Sequence, residues 1–326
     1  MALSSGNTTT TQVTPAVNAW LDTTLLQRAY PYFLHTRWAQ VRPLSQGVGT
    51  VIKFRRYTNL DAQTTALTEG VTPAGQQLAI TDITGTPLQY GNYVLFTDLL
   101  DWTVIENMKT EIAAMLGDNM GDTLDQVCRD TILAGTTVQY VQGVAGRTSV
   151  ASGMIITGDE IRKAVRTLKG NNAKKITSQI NPSTGWNTTP IRAAYIGIVS
   201  QQVEYDLKKD PDFVPVSEYP NPASALEGEI GALDEVRFFG ATSNAKVFSA
   251  GGSGGIDVHG VQIFGQEYYG VTQISGHAAE VIVHPLGSSG SLDPLNQRQT
   301  MGWKATFVAV RLNENFGLRL EVAVSS

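Results

Sequence analysis

Apolar and polar side chains alternate along two stretches in the first third of the chain, and this period of two predicts β-strands over residues 49–57 and 90–97. One face of the first strand carries Ile52, Phe54 and Arg56. The polar stretch between the two strands is too long for a tight hairpin. A loop of this length that is poor in core residues is uncommon in a compact domain and usually functional, which favours an arm that reaches onto another subunit.

Helical spacing of apolar residues predicts a short amphipathic helix over residues 17–29, which includes Trp20 and needs a surface to lie on. The same spacing predicts a much longer helical region within residues 99–134. Gly117 and Gly121 interrupt its pattern, so the region is either one long helix with a soft middle or two helices in sequence.

A third helix is predicted over residues 157–170, where Thr157 and Glu160 have the spacing of a capping box. Ser200 is expected to cap a short helix that ends before Asp210, because a proline follows that aspartate. These helices alternate with several predicted strands, at residues 193–199, 235–239, 280–283, 303–311 and 318–324. A turn at 313–317 separates the last two strands, and the glycine-rich residues 250–276 are interpreted as a flexible excursion.

Only 16% of the 326 residues are charged, against about 25% in a typical protein. A sparsely charged surface is easier to bury against neighbours, because each charge removed from water needs a partner. A neutral, loop-rich monomer would have the same composition. The net charge of −5 argues against a surface that binds nucleic-acid phosphates, although a protein that encloses DNA without gripping it would fit equally well.

The single cysteine, Cys128, excludes an intrachain disulfide and is expected to be a buried, inert thiol. The first residues lack the basic region and apolar run of a signal peptide. No stretch approaches the ~20 apolar residues of a membrane span. We therefore expect a chain that is made and kept in the cytoplasm until it is carried elsewhere, with no contact to a membrane.

The sequence contains no convincing catalytic or cofactor-binding constellation. Residues 251–255 match the G-x-S-x-G pattern around Ser253, but the helix that a nucleophile elbow requires is missing. His277 and Glu280 would point to opposite faces of a strand, which argues against a metal site there. No acidic or thiol partner is predicted for His35 or His259. No enzyme activity, metal or cofactor is therefore predicted.

Four segments of the chain resemble, in the same order, the major capsid family of tailed bacteriophages typified by coliphage N-four. They are Val51-Ile-Lys-Phe-Arg-Arg56 followed by Leu67-Thr-Glu-Gly-Val-Thr-Pro73, Leu207-Lys-Lys-Asp-Pro211, Gly228-Glu-Ile-Gly-Ala-Leu-Asp-Glu-Val-Arg-Phe-Phe239, and Asp293-Pro-Leu-Asn-Gln-Arg298 with Trp303-Lys304. The third and fourth segments together carry most of the resemblance.

This resemblance implies the α+β, Hong Kong 97-like capsid fold, whose parts can be assigned along the chain. An N-terminal arm would cover residues 1–43 and an extended β loop residues 44–98. A peripheral domain with a spine helix would cover 99–180, and an axial domain 181–289. Residues 290–326 would form strands that return to the peripheral and axial sheets.

The resemblance also implies a structural protein that assembles with itself into hexamers and pentamers of an icosahedral shell around double-stranded DNA. The subunit would reside in the virion capsid after assembly in the cytoplasm of the host bacterium. Portal and decoration proteins are possible further partners, and scaffolding would come from a separate protein or be absent, because the N-terminal arm is short. The candidate intersubunit contacts are Lys53, Arg55, Arg56, Glu69 and Trp20.

Some relatives of this fold crosslink subunits through a lysine of the extended loop. Lys53 is the single lysine of this loop and lies in its strand stem, so no such crosslink is predicted. Three alternatives to a phage capsid protein stay open at this point. They are an encapsulin-like compartment shell, a serine hydrolase that uses Ser253, and a β-rich tail or receptor-binding protein.

Overall fold

A computed structural model of the chain describes residues 34–42, 51–57, 60–103, 108–182, 186–219, 225–241, 245–273, 280–288 and 293–325. The helices are α1 (Asp98–Thr103), α2 (Met108–Leu133), α3 (Gly158–Gly170) and α4 (Gln201–Leu207). The strands of the first half are β1 (Gln40–Val41), β2 (Ile52–Tyr57), β3 (Ile80–Gly85), β4 (Leu88–Thr97), β5 (Val138–Tyr140), β6 (Ile176–Pro182) and β7 (Trp186–Ser200). Those of the second half are β8 (Val214–Pro215), β9 (Glu229–Leu233), β10 (Val236–Ala241), β11 (Val247–Phe248), β12 (Val258–Phe264), β13 (Tyr269–Gln273), β14 (Glu280–His284), β15 (Arg298–Arg311) and β16 (Gly317–Val322).

A five-stranded sheet and the long helix α2 form the first of two hydrophobic cores. The long strand β15 is its centre and pairs with β4, β13 and β14, all antiparallel. Met120, Leu124 and Cys128 follow one another at helical spacing on α2 and are buried in the core with Trp303 and Phe307 of β15. The helix runs without interruption through Gly117 and Gly121, so the reading of a single long helix there is correct.

A nine-stranded sheet carries the second core. Its main path runs β5-β16-β12-β7-β10-β9-β8, with β7 and β10 parallel and β12 antiparallel to both of its neighbours. Helices α3 and α4 cover it through buried side chains such as Ile161, Leu168 and Val203. The turn at 313–317 lies between β15 of one sheet and β16 of the other, so it joins the two cores.

The prediction of a flexible excursion at residues 250–276 is wrong. Strands β12 and β13 lie inside this range, and each pairs with strands on both of its edges. Val261, Ile263 and Phe264 are fully buried, as is Val271. The glycines permit close backbone approach rather than mobility: a Cβ added to Gly265 would lie 2.5 Å from the carbonyl oxygen of Lys174.

The capping box predicted for α3 does not form, although the helix begins at the expected place. Thr157 occupies the N-cap position without a side-chain capping bond. Instead, the backbone N–H of Gly158 donates to the carboxylate of Asp210 at 2.6 Å. Glu160 is buried and accepts a hydrogen bond from Gln139 Nε2 at 2.8 Å. Ser200, by contrast, caps α4 as predicted, by accepting from the N–H of Val203.

Ser200 also contacts a buried histidine of the neighbouring strand β12. Its Oγ lies 2.9 Å from Nδ1 of His259. Ser200 Oγ also accepts from the backbone N–H of Val203 and, as a hydroxyl, can either donate to Nδ1 or accept from it. Burial lowers the pKa of His259 below its ordinary value, and the carboxylates of Asp257 and Asp206 oppose that shift.

We expect His259 to make folding less favourable as the pH falls from about 7 to about 5. The unfolded chain binds a proton at the ordinary histidine pKa, whereas the folded chain binds it only at lower pH, so the stabilisation is present above the ordinary pKa and is lost below it. Denaturant unfolding at several pH values measures this slope. His259→Gln is expected to flatten it, and the exposed control His284→Gln to preserve it. Identical slopes in both variants would contradict the assignment.

Candidate assembly surface

The strand predicted at 49–57 pairs with a partner that sequence analysis missed. Strand β2 forms an antiparallel, two-stranded sheet with β3, in the register Ile52↔Gly85 to Tyr57↔Ile80. The strand predicted at 90–97 is present as β4, but the polar stretch before it contains a further strand, β3, that was not predicted. Strand β4 belongs instead to the five-stranded sheet, where it pairs with β15 from Thr97 to Leu88.

A small hydrophobic cluster attaches the β2–β3 hairpin to the rest of the molecule. Ile52 and Phe54 are buried with Leu312, and Ile83 packs against them. The other side chains of β2 are exposed. They include Arg56, although it lies on the same face of the strand as Ile52 and Phe54. Gly270 allows the ring of Phe54 to approach, because an added Cβ would lie 2.8 Å from its Cε1.

Beyond the hairpin, residues 60–79 extend away from the body as a tongue. Every residue of this tongue is exposed, including the large apolar side chains Leu60, Leu67, Val71 and Leu78. The side-chain amide of Gln76 donates to the carbonyl oxygen of Asp61 at 3.0 Å and so joins its two limbs. The tongue therefore presents apolar surface that its own chain does not cover.

A tight turn forms the tip of the tongue. The N–H of Val71 donates to the carbonyl oxygen of Thr68 at 3.1 Å. Gly70 occupies the third position with a φ of 76°, which a residue with a side chain adopts only with strain. This geometry places Glu69 in the turn at the tip of the tongue.

The candidate contact residues fall into different environments. Arg55 is paired within its own hairpin: its Nε donates to Asp82 Oδ1 at 3.0 Å. This hydrogen bond lowers the pKa of Asp82 and raises the pKa of Arg55. Lys53, Arg56 and Glu69 are exposed, and Arg42 holds the stem by donating to the carbonyl oxygen of Lys53 at 2.7 Å.

The segment that precedes the hairpin is anchored by a buried cluster that sequence analysis did not find. The ring Nδ1 of His35 lies 2.6 Å from Asp125 Oδ2 on α2, and its backbone N–H donates to Oδ1 at 2.7 Å. The thiol of Cys128 and the hydroxyl of Tyr269 both donate to the carbonyl oxygen of His35. Burial raises the pKa of the Cys128 thiol, in keeping with an inert side chain.

The residues weighed for catalysis are not brought together. Ser253 lies in an exposed loop, and its N–H donates to the carbonyl oxygen of Val150. His277 and Trp20 lie outside the described ranges. Within those ranges, no group of three or more His, Cys, Asp or Glu side chains could hold a metal ion. None of the helices in the described part of the chain combines the length and apolar character needed to span a bilayer.

Strand β4 adds a second uncovered surface beside the hairpin. Among the described strands it pairs only with β15, which leaves its other edge open along ten residues. Tyr93, Val94 and Leu95 are all exposed on it. A long edge strand with apolar side chains is a template for contact with another chain. Most of the exposed large hydrophobic side chains of the described chain thus lie between residues 51 and 99.

Comparison with known proteins gives matches in structure alone. No protein-family model and no curated protein matches the sequence. The capsid of Ralstonia phage GP4 matches with a TM-score of 0.69 at 11% identity, over 88% of this chain and 87% of that chain. The capsid asymmetric unit of cyanophage Pam1 matches with a TM-score of 0.63 at 14% identity, over 92% of each chain. The capsid of cyanophage P-SCSP1u gives 0.61 at 13%, over 88% and 87%.

These likenesses establish the fold. The chain has the mixed α+β, Hong Kong 97-like fold of phage capsid proteins over most of its length, as the sequence predicted. In the order of the chain, the tongue and its stem precede the long helix α2, as the extended loop precedes the spine helix in the expected arrangement.

Proposed function

We propose that this chain is a major capsid protein, a structural subunit that assembles into the hexamers and pentamers of an icosahedral phage shell around double-stranded DNA. The observation that carries the proposal is the tongue at residues 60–79. It is a fully exposed arm with apolar side chains that no part of its own described chain covers, on a chain with the fold of phage capsid proteins. Such surface is stable in water when a neighbouring subunit covers it.

Repetition makes weak contacts sufficient for a shell. Each subunit has one tongue and one body, so contact between the tongue of one copy and the body of the next is heterologous and closes into rings when the rotation is right. Many such contacts around a closed shell add avidity without requiring any pair to bind tightly. The low charge of the chain reduces the cost of removing its surface from water.

Several finer assignments belong to the same proposal. The four resembling segments support membership of the coliphage N-four-like family, with the virion capsid as the location and the host bacterial cytoplasm as the place of assembly. Scaffolding, portal and decoration proteins are candidate partners. The net charge of −5 supports a shell that encloses DNA without sequence-specific binding. The three solved structures compared above are phage capsids, which favours a virus shell over a cellular compartment and over a hydrolase using Ser253.

Negative-stain electron microscopy of the purified protein, with light scattering alongside, tests the proposal. Closed shells or capsomer rings are expected. If the protein alone stays monomeric, co-expression with proteins encoded beside it supplies a missing scaffold or portal. A chain that remains monomeric under both conditions, or that forms only fibres or trimers, would overturn the proposal.

The particles are expected to be held together without covalent links between subunits. Lys53 lies on β2 opposite Thr84, in the stem of the hairpin and far along the chain from the tip. Its amine is therefore poorly placed to reach a neighbour that the tip contacts. Boiled particles on a denaturing gel are expected to give a single band at the mass of one chain, 35.1 kDa. A ladder of multiples would contradict this prediction.

A further inference from the structure

A cleft of about 710 Å³ lies beneath the stem of the hairpin, between β3, the C-terminal end of α2 and the end of β15. Apolar side chains line part of it, among them Ile83, Ala134 and Leu312. Two guanidinium groups, those of Arg56 and Arg311, also line it. The cleft therefore combines apolar walls with two cations, a combination that suits a carboxylate flanked by apolar groups.

The two arginines of the cleft have N–H groups that are not fully paired within the described chain. Arg311 donates through Nε toward Glu314 at 3.3 Å, but its Nη1 is buried and has no hydrogen-bond partner among the described residues. Arg56 is exposed and forms no ion pair within the described chain. A buried donor without a partner costs about 1–3 kcal/mol, so an acceptor that reached Nη1 would be stabilised there.

The two acids of the cleft already have partners. Asp130 pairs with Arg129 at 3.0 Å and with Lys246 at 3.4 Å. Glu314 pairs with Arg311 and accepts a hydrogen bond from the backbone N–H of Thr136. Both carboxylates thus have a cation beside them, whereas Arg56 forms no ion pair within the described chain.

The tip of the tongue has the complementary composition. Glu69 lies in the turn at this tip, between the exposed apolar side chains of Leu67 and Val71. The sequence has no lysine or arginine between Arg56 and Lys109, so the carboxylate has no cation on its own tongue. A carboxylate with an apolar residue on either side matches a cleft with apolar walls, the exposed guanidinium of Arg56 and the unpartnered Nη1 of Arg311.

The tip cannot reach the cleft of its own chain in the extended form of the tongue. Arg56 and Glu69 are thirteen residues apart, at the stem and at the tip of the hairpin. The exposure of every residue along the tongue is consistent with this separation. The tip therefore stays available for contact with another copy.

We infer that the cleft at Arg56 and Arg311 receives the Glu69 tip of the tongue of a second copy of this chain. The inference rests on the proposed function and specifies where each tongue docks. Repeated from copy to copy, this contact is head-to-tail and generates a ring. Each subunit would donate one tip and accept one.

A charge exchange tests the pairing. Glu69→Arg and Arg56→Glu are each expected to lower the assembled fraction roughly tenfold, measured by sedimentation and electron microscopy. The double variant is expected to assemble better than either single variant, because its charges again attract. Asp61→Arg changes the other acid of the tongue, away from the tip, and is expected to leave assembly near the wild-type level. Thermal unfolding of the free subunits controls for folding.

Chemical crosslinking identifies the contact directly. In Arg56→Lys particles, a water-soluble carbodiimide activates the Glu69 carboxylate, and the Lys amine displaces the activated group to form an amide between the two copies. Mass spectrometry is expected to find the peptide that joins positions 69 and 56, and to lose it in Glu69→Gln/Arg56→Lys particles.

The outcomes distinguish a failure of the cleft assignment from a failure of the proposed function. Wild-type protein that never assembles would overturn both. Wild-type shells together with unaffected single variants, an absence of the joined peptide, or a double variant no better than the single ones would overturn the cleft assignment and leave the capsid proposal standing. Loss in both single variants, recovery in the double variant and the joined peptide would support the inference.

Discussion

Protein in which Asn-Gly replaces residues 58–79 is expected to fold normally and to form no shells. Tyr57 and Ile80 face each other in the β2–β3 register, so a two-residue turn can join them without disturbing the stem. The removed tongue is fully exposed over residues 60–79 and contributes nothing to either hydrophobic core. The unfolding free energy is therefore expected to change by less than about 1 kcal/mol.

Assembly is expected to respond very differently from folding. The deletion removes every contact that a tongue can make, including the apolar contacts of Leu67 and Val71 and the charge of Glu69. Loss of about 2.8 kcal/mol per contact would already lower association a hundredfold, and the loss multiplies around a ring. Electron microscopy and light scattering measure the result at matched protein concentration.

A second replacement separates the sequence of the tongue from its length. A Gly/Ser segment of equal length keeps the reach but removes the apolar and acidic side chains, and it is expected to abolish shells as well. Shells of normal yield from either variant would show that the tongue is dispensable and would remove the main support for the proposed function.

Arg237→Met is expected to lower the free energy of unfolding by about 3–5 kcal/mol, because it leaves a buried carboxylate without its cation. The side chain of Glu229 is fully buried between β9 and β10. Arg237 donates to both of its oxygens, from Nε at 2.7 Å and from Nη2 at 2.6 Å. The hydroxyl of Tyr219 and the N–H of Leu226 each donate at 2.8 Å, which completes the shell of donors.

Glu229 also contributes to the raised pKa of a neighbouring tyrosine. Burial, followed by the hydrogen bond to Glu229, raises the pKa of Tyr219 well above its ordinary value. Denaturant unfolding of the free subunit measures the predicted loss in Arg237→Met. Adding Glu229→Gln in the same chain is expected to recover part of it, because the uncompensated charge is gone.

An exposed ion pair provides the matched control. Lys208 and Glu204 pair at 2.6 Å across one turn of α4, with the lysine half-exposed. Lys208→Met is expected to cost no more than about 0.5 kcal/mol, since solvent screens an exposed pair. Equal losses in Lys208→Met and Arg237→Met would mean that the buried network has no special role.

Features that depend on residues close together in the chain can be derived from the sequence alone. The period of two along 49–57 placed Ile52 and Phe54 on one face of β2, and both are buried. Helical spacing predicted α2 and α3, and the position of Ser200 predicted the cap of α4. The glycine at position 70 gave the tongue a turn at its tip with Glu69 beside it, because the required φ is a local property.

The contacts between segments that are distant in the sequence are visible only in the tertiary structure. Periodicity indicates that a strand is present but does not identify the strand with which it pairs. The pairing of β2 with β3 and of β4 with β15 could therefore not be derived from the sequence. Local composition made residues 250–276 look flexible, yet strands on either side bury β12 and β13 and satisfy their backbone groups. His35 and Asp125 lie ninety positions apart, and Arg56 and Arg311 still further, so their meeting depends on the packing of α2 and β15. Burial and long-range contact are properties of the folded chain, because a residue's solvent and partners are set by elements remote in sequence.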